Sequence, residues 1–299
     1  MKRESPPPAR LDREALRKWP LPGISSDADK EVRGRILVVA GSREIAGAAA
    51  LAATAALRAG AGKLVIATVA SMAAGMAFCM PEARVIGLPE TPAGGLAVEG
   101  VTQLQKLAPS CASAVVGPGF MDDEGGGEFV AALLPWLAHC PVVLDALAMD
   151  VAPRIGRFDQ PVLLTPHAGE MAHLTGYSKE DVAANAGAIA LEAAQRWNAV
   201  VTLKGATTVI ASPDGRLWAH EGGEAGLATS GSGDTLAGII GGLAARGASM
   251  EQACAWGIML HAAAGAMLAR TLGPLGFLAR ELPGQVPAAL ERLAAEGSG

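Results

Sequence analysis

The chain has 299 residues, of which 51% are hydrophobic and 18% charged, with a formal net charge of −5. That composition excludes a disordered chain, and the acidic balance excludes the basic footprint of a nucleic-acid binder. The length allows one or two domains, and every long apolar stretch is interrupted by polar residues or glycine, so none reads as membrane-spanning.

Residues 1–34 are polar and proline-bearing and read as a loosely held N-terminal arm with one helix at 12–18. They contain no apolar segment of the secretory kind. From Arg35 a repeated pattern sets in: a short β-branched run, a turn containing glycine, then an alanine-rich helical stretch. Strands are expected at Arg35–Ala40, Lys63–Thr68, Arg84–Gly87, Ala114–Gly117, Val142–Asp145, Val162–Thr165, Val200–Lys204 and Thr208–Ala211. Most are continuous apolar runs, as in parallel strands covered on both faces. Helices are expected near 45–59, 98–107, 125–138, 168–175, 179–197, 234–246 and 250–271. Alternating strands and helices imply a three-layer αβα, doubly wound, mostly parallel sheet. No linker-like break follows Arg35, so residues 35–299 are expected to form a single domain. The four cysteines at 79, 111, 140 and 254 form no C-x-x-C motif. Reduced thiols and a cytoplasmic location are the expectation.

In a doubly wound sheet, ligands bind beyond the carboxyl ends of the strands, and the informative segments follow the strands. The first turn, VVAGSREIAGAA at 38–49, is neither a G-x-G-x-x-G nor a P-loop, but its glycines allow a ligand close to the backbone around Ala48. The turn VVGPGF at 115–120 admits either backbone contact with a ligand or a plain tight turn. Asp145 ends a strand where a metal- or hydroxyl-directed carboxylate would sit. In VLLTPHAGE at 162–170, His167 and Glu170 suit two readings equally: a capping box, or a ligand contact beside a metal-bound water. Lys204 opens a Lys-Gly turn that is either a charged hairpin turn or a phosphate or ribose contact. His139, His173, His220 and His261 have no partner at ligand spacing and read as surface or core residues.

The most informative segment is GLATSGSGDTLAG at 226–238. Small residues ahead of a helix let backbone N–H groups converge on an anion, and the helix dipole adds partial positive charge there. Asp234, in the first turn of that helix, can take a proton from a hydroxyl nucleophile while those N–H groups hold the transferring phosphate. An aspartate at a helix start is common for the dipole alone; the complete G-x-G-D element favours the catalytic base.

Taken in order, AGSREIAGAAALAATAALRAGAGKLVIAT, VVGPG, VVLDALAM, LLTPHAGE, TLKGATTVIASPDG and GLATSGSGDTLAGIIGGLAARG resemble the ADP/ATP-dependent NAD(P)H-hydrate dehydratases of the ribokinase-like superfamily. The resemblance covers about residues 35–270. It implies ADP-dependent repair of NADH and NADPH whose nicotinamide ring has been hydrated. The nucleotide phosphorylates the ring hydroxyl, and elimination of phosphate restores the double bond, releasing AMP. It implies Asp234 as the base, with Gly231, Ser232 and Gly233 forming the anion hole. Ala48, Gly119, His167 and Asp234 would bind the hydrate; Lys204, Gly205, Ala206, Thr207, Thr208 and Gly233 would bind ADP. Glu170 would help order Mg²⁺ through water. The family also implies a homotetramer and, for a stand-alone dehydratase, a separate epimerase as partner. The chain departs from the family's pattern at Leu147, where a carboxylate is common, at Glu224, where asparagine is common, and at Asp29-Lys30-Glu31, which replaces H-K-G. Two competing readings share the fold: a vitamin-precursor kinase of the hydroxymethylpyrimidine or thiazole type, and a non-catalytic nucleotide-binding module. His167, where such kinases carry asparagine, favours the dehydratase.

Overall fold

The computed structural model describes residues 7–23, 29–121 and 124–295. Among the described residues ten strands form one sheet: β1 (Ala9–Arg10), β2 (Arg35–Val39), β3 (Lys63–Val69), β4 (Ala83–Leu88), β5 (Ser113–Val116), β6 (Val142–Leu144), β7 (Val162–Leu164), β8 (Val200–Leu203), β9 (Thr207–Ala211) and β10 (Leu217–Glu221). Their order is β1-β10-β9-β8-β7-β6-β5-β2-β3-β4. Strands β2 to β8 are mutually parallel, and antiparallel β9 and β10 extend one side. All four residues of β5 and β8 and all three of β6 and β7 are buried. That is why these strands read as unbroken apolar runs rather than as alternation.

The helices are α1 (Arg13–Arg17), α2 (Gly47–Arg58), α3 (Ala70–Cys79), α4 (Glu124–Leu133), α5 (Val151–Ile155), α6 (Ala168–Thr175), α7 (Lys179–Ala184), α8 (Ala186–Trp197), α9 (Ser232–Ala245), α10 (Met250–Leu272) and α11 (Leu282–Ala294). They cover both faces of the sheet, leaving one apolar cluster around Leu37, Phe129 and Trp197 and another around Ile36, Ile240 and Trp256. This is the three-layer mostly parallel architecture expected from the sequence. Helix α10 is long and apolar enough to cross a membrane, but 67% of its most apolar window is buried inside the protein. It serves as a core helix against α9 and α11.

Several expectations need correction. The stretch expected as one helix at 179–197 is two, broken at Asn185, whose φ of −128° and ψ of 35° fall outside the helical region. The stretch at 98–107 is a short 3₁₀ segment, Val98–Leu104. Of the arm, residues 1–6 and 24–28 lie outside the described residues. What is described of its first half is docked, not loose. The β1 backbone pairs with β10, Leu11 and Leu16 are buried, and Trp19 stacks on Trp218 with ring centroids 5.7 Å apart. The indole N–H of Trp256 donates to the Trp19 carbonyl at 2.8 Å.

Helix α9 sits against α2 at backbone contact. A Cβ on Gly238 would lie 2.1 Å from the Ala52 carbonyl oxygen, so only glycine permits this approach. The alanine- and glycine-rich segments thus have a definite task, which is to bring the starts of α2 and α9 to the same edge of the sheet.

Candidate active site

The sheet reverses its direction of growth between β2 and β5: the chain adds β3 and β4 on one side of β2, and β5 pairs with β2 on the other. A crevice opens beyond the strand ends at such a switch point. The turns after β2 and β5 are laced together there. Gly117 N–H donates to the Val39 carbonyl at 3.1 Å, and Gly41 N–H to the Pro118 carbonyl at 2.8 Å. Gly119 has a φ of +71°, and a Cβ on it would meet the Ile45 carbonyl oxygen at 2.6 Å and the Ala48 Cβ at 2.7 Å. Ala48 and Gly119, expected to contact one ligand, are therefore immediate neighbours.

The next three strand ends carry the charges. Asp145, after β6, is buried. Its carboxylate accepts the Thr165 hydroxyl proton and lies 3.4 Å from Nζ of Lys204, which follows β8. After β7, His167 caps α6: its Nδ1 accepts the N–H groups of Gly169 and Glu170 at 3.0 and 3.2 Å. Glu170 Oε2 returns the bond, accepting His167 N–H at 2.8 Å. The capping box is therefore formed. With Nδ1 an acceptor, the proton of the neutral imidazole sits on Nε2. The ring is largely exposed and borders the cavity described below, so capping leaves it available to a ligand. The Lys204 N–H donates to the Pro166 carbonyl at 2.8 Å, which holds the cation beside this turn.

Helix α9 supplies the last component. Gly231, its N-cap, has a φ of +87°, and a Cβ there would come within 2.4 Å of Leu51 Cδ1. The left-handed turn and the contact with α2 both require glycine. Beyond it, Ser232, Gly233 and Asp234 form the first turn, where backbone N–H groups have no intrahelical partner. Burial pushes the Asp234 carboxyl up from 3.8 to about 6; the Asp145 charge adds to this and the Lys204 ammonium opposes it. No hydrogen bond is among the causes. A carboxyl poised this way has the pKa of a general base working near neutrality.

A cavity of about 700 Å³ lies alongside, and its walls include His167, Lys204, Gly205, Ala206, Thr208 and, from the start of α9, Ser232 and Gly233. Thr207 is not in this lining and is exposed, because successive residues of β9 face opposite sides of the sheet. Ala48, Gly119, Gly231, Glu170 and Asp234 also lie outside the lining. The structure thus groups the sequence-derived residues into a broad cavity on the Lys204 side of Asp234 and a tight turn pair at Ala48 and Gly119. Sequence reasoning assigned no such place to His220 or His261, both of which line the cavity; their partners are far away in sequence. Glu224, at one of the departures from the family pattern, lines it too.

Among the described residues no group of three His, Cys, Asp or Glu side chains is arranged to hold a metal ion. Glu170 offers a single carboxylate, which fits Mg²⁺ in the mode where the ion keeps several waters and binds through one or two carboxylates plus substrate phosphates.

A profile of the family described as NAD(P)H-hydrate dehydratase matches residues 36–287. The chain is 49% identical over 280 residues to the ADP-dependent (S)-NAD(P)H-hydrate dehydratase of Xanthomonas campestris pv. campestris, covering 93% of this chain and 95% of that protein. It is 40% identical to a bifunctional NAD(P)H-hydrate repair enzyme of Moorella thermoacetica over 92% of this chain, which spans 53% of that longer protein. In three dimensions it is similar to the ADP/ATP-dependent NAD(P)H-hydrate dehydratase of Bacillus subtilis crystallised with ATP and Mg²⁺. That match has a TM-score of 0.84 at 32% identity and covers 95% of this chain and 98% of that one.

Proposed function

The chain belongs to the NAD(P)H-hydrate dehydratase family, and we propose on that premise how its residues share the work of an ADP-dependent repair enzyme. The enzyme converts (S)-NADHX and (S)-NADPHX to NADH and NADPH, consuming ADP and releasing AMP and phosphate. Family membership at this identity favours that outcome over a vitamin-precursor kinase, which would stop at the phosphorylated product.

Asp234 accepts the proton of the ring hydroxyl as its oxygen attacks the terminal phosphorus of ADP. The bond from that phosphorus to the bridging oxygen breaks, and AMP departs. The phosphorylated ring then loses phosphate together with a proton from the neighbouring carbon, and the double bond re-forms. The hydroxyl oxygen leaves within the phosphate, so hydrate plus ADP balances NAD(P)H plus AMP, phosphate and a proton. The Gly231–Gly233 turn holds the moving phosphoryl group where charge develops, the Ser232 N–H also donating to the Thr229 carbonyl at 3.2 Å. Lys204, Gly205, Ala206, Thr207 and Thr208 hold the nucleotide. Ala48, Gly119 and His167 hold the hydrate, His167 offering its Nε2–H. Glu170, with one carboxylate oxygen committed to the His167 N–H, is the residue that would hold Mg²⁺ through water. Mg²⁺ held there would supply neutralisation of diphosphate charge. A separate epimerase, supplying the S form, and a tetrameric assembly complete the reading.

The observation carrying this assignment is the family match over residues 36–287; Asp234, in the first turn of a glycine-capped helix and within reach of the Asp145 and Lys204 charges, supplies the base. The test is incubation of the purified protein with NADPH hydrate and ADP while following the near-ultraviolet absorbance of the reduced nicotinamide. NADPH should reappear in step with AMP. Accumulation of a stable phosphorylated hydrate, or no recovery at all, would overturn the reading.

A further inference from the structure

A pair of side chains ties the start of α9 to the helix behind it. Ser232 is buried, and its Oγ lies 3.0 Å from Nε2 of His261, 29 positions later in α10. Both line the 700 Å³ cavity, next to Gly233 and Lys204. The two helices already pack through apolar residues such as Ile240 and Ile258, so the polar contact is not needed to join them. A hydroxyl carries one proton and two lone pairs. If the imidazole accepts that proton, none remains for a ligand; if it donates, the serine O–H is free to point into the cavity. Burial pulls His261 down to about 4, a bond with the Ser232 backbone opposing and the Lys204 charge assisting, so the ring near neutral pH is uncharged and carries a single proton.

We propose that His261 is a positioning residue whose Nε2–H donates to Ser232 Oγ, so that the Ser232 hydroxyl is presented as a donor to the transferable phosphate of a nucleoside diphosphate. This rests on the reading that the Gly231–Gly233 turn holds that phosphate. No proton is transferred; the pair adds a side-chain donor to the backbone N–H groups of the turn and fixes its direction. A nucleoside monophosphate lacks the phosphate in question and should not register the pair.

The test is calorimetric titration of the intact protein with ADP and with AMP for wild type, Ser232→Ala, His261→Ala, His261→Gln and the double alanine variant. Each single alanine change should weaken ADP binding by about tenfold to a hundredfold, the range for hydrogen bonds to charged groups. The double variant should be no weaker than Ser232→Ala, since the histidine acts only through the serine. His261→Gln, which keeps an N–H donor at similar reach, should restore most of the affinity, and AMP binding should be nearly unchanged throughout. Additive losses, or AMP affinities falling in parallel with those for ADP, would overturn the proposal. So would nitrogen NMR of His261 showing the proton on Nδ1. A wild-type protein that binds ADP yet regenerates no NADPH would defeat the dehydratase reading alone, and the binding cycle would still judge the pair.

Discussion

Replacing Asp234 by asparagine should move activity and stability in opposite directions. The two side chains are nearly the same size, so the change removes a charge and a base with little repacking. The carboxyl is held at about 6 against an ordinary value of 3.8, and at about 1.4 kcal/mol per pH unit that gap corresponds to about 3 kcal/mol. The folded-state pKa lies above the unfolded one. Ionisation therefore removes stability as pH rises from about 4 to about 6, and the loss is complete above that window. Asparagine never ionises. The variant should be more stable than wild type near pH 8 by up to about 3 kcal/mol, and the advantage should vanish below about pH 4. Turnover should meanwhile fall by about 10²–10⁴-fold, the usual contribution of a general base. Urea unfolding at several pH values measures the first effect; AMP release in the presence of NADPH hydrate measures the second. Retention of more than about a tenth of the turnover would refute the role of Asp234. A variant less stable than wild type near pH 8 would refute the account of its burial.

Two further outcomes follow from the same geometry. The acid limb of kcat/KM should fall near pH 6, where Asp234 gains its proton. In Asp145→Asn it should move to lower pH, because a neighbouring charge that raises the Asp234 pKa is gone; an unmoved or higher limb would separate the two carboxylates. Gly119→Ala places a Cβ 2.6 Å from the Ile45 carbonyl oxygen at a φ of +71°, at a strain of about 1–2 kcal/mol. It should raise KM for the hydrate severalfold and leave the ADP dissociation constant alone. Parallel loss of ADP binding would place Gly119 on the nucleotide side instead.

Much of the molecule was legible because its signals are local. Unbroken apolar runs mark strands buried on both faces, and G-S-G-D ahead of an apolar helix marks a glycine-capped helix start with a carboxylate in its first turn. The break at Asn185 was not legible, since alanine-rich sequence continues on both sides of it. Nor was the docking of residues 9–20, whose partners are Trp218, Ala219, Gln252 and Trp256. Contacts spanning 199 to 237 positions leave no periodicity to read. The two readings of His167, cap or ligand contact, turned out to be compatible, because Nδ1 makes the cap while the exposed ring borders the cavity.

By itself the sequence determined the layered parallel architecture and the order of the motifs along the chain. Tertiary structure alone decided that Asp145 and Lys204 stand beside Asp234, and that His261 reaches Ser232. The reason is physical. A carboxyl in a first helical turn is an ordinary surface acid until burial and the Asp145 charge raise its pKa against the pull of the Lys204 ammonium. Neither burial nor that convergence is a property of any local stretch of chain.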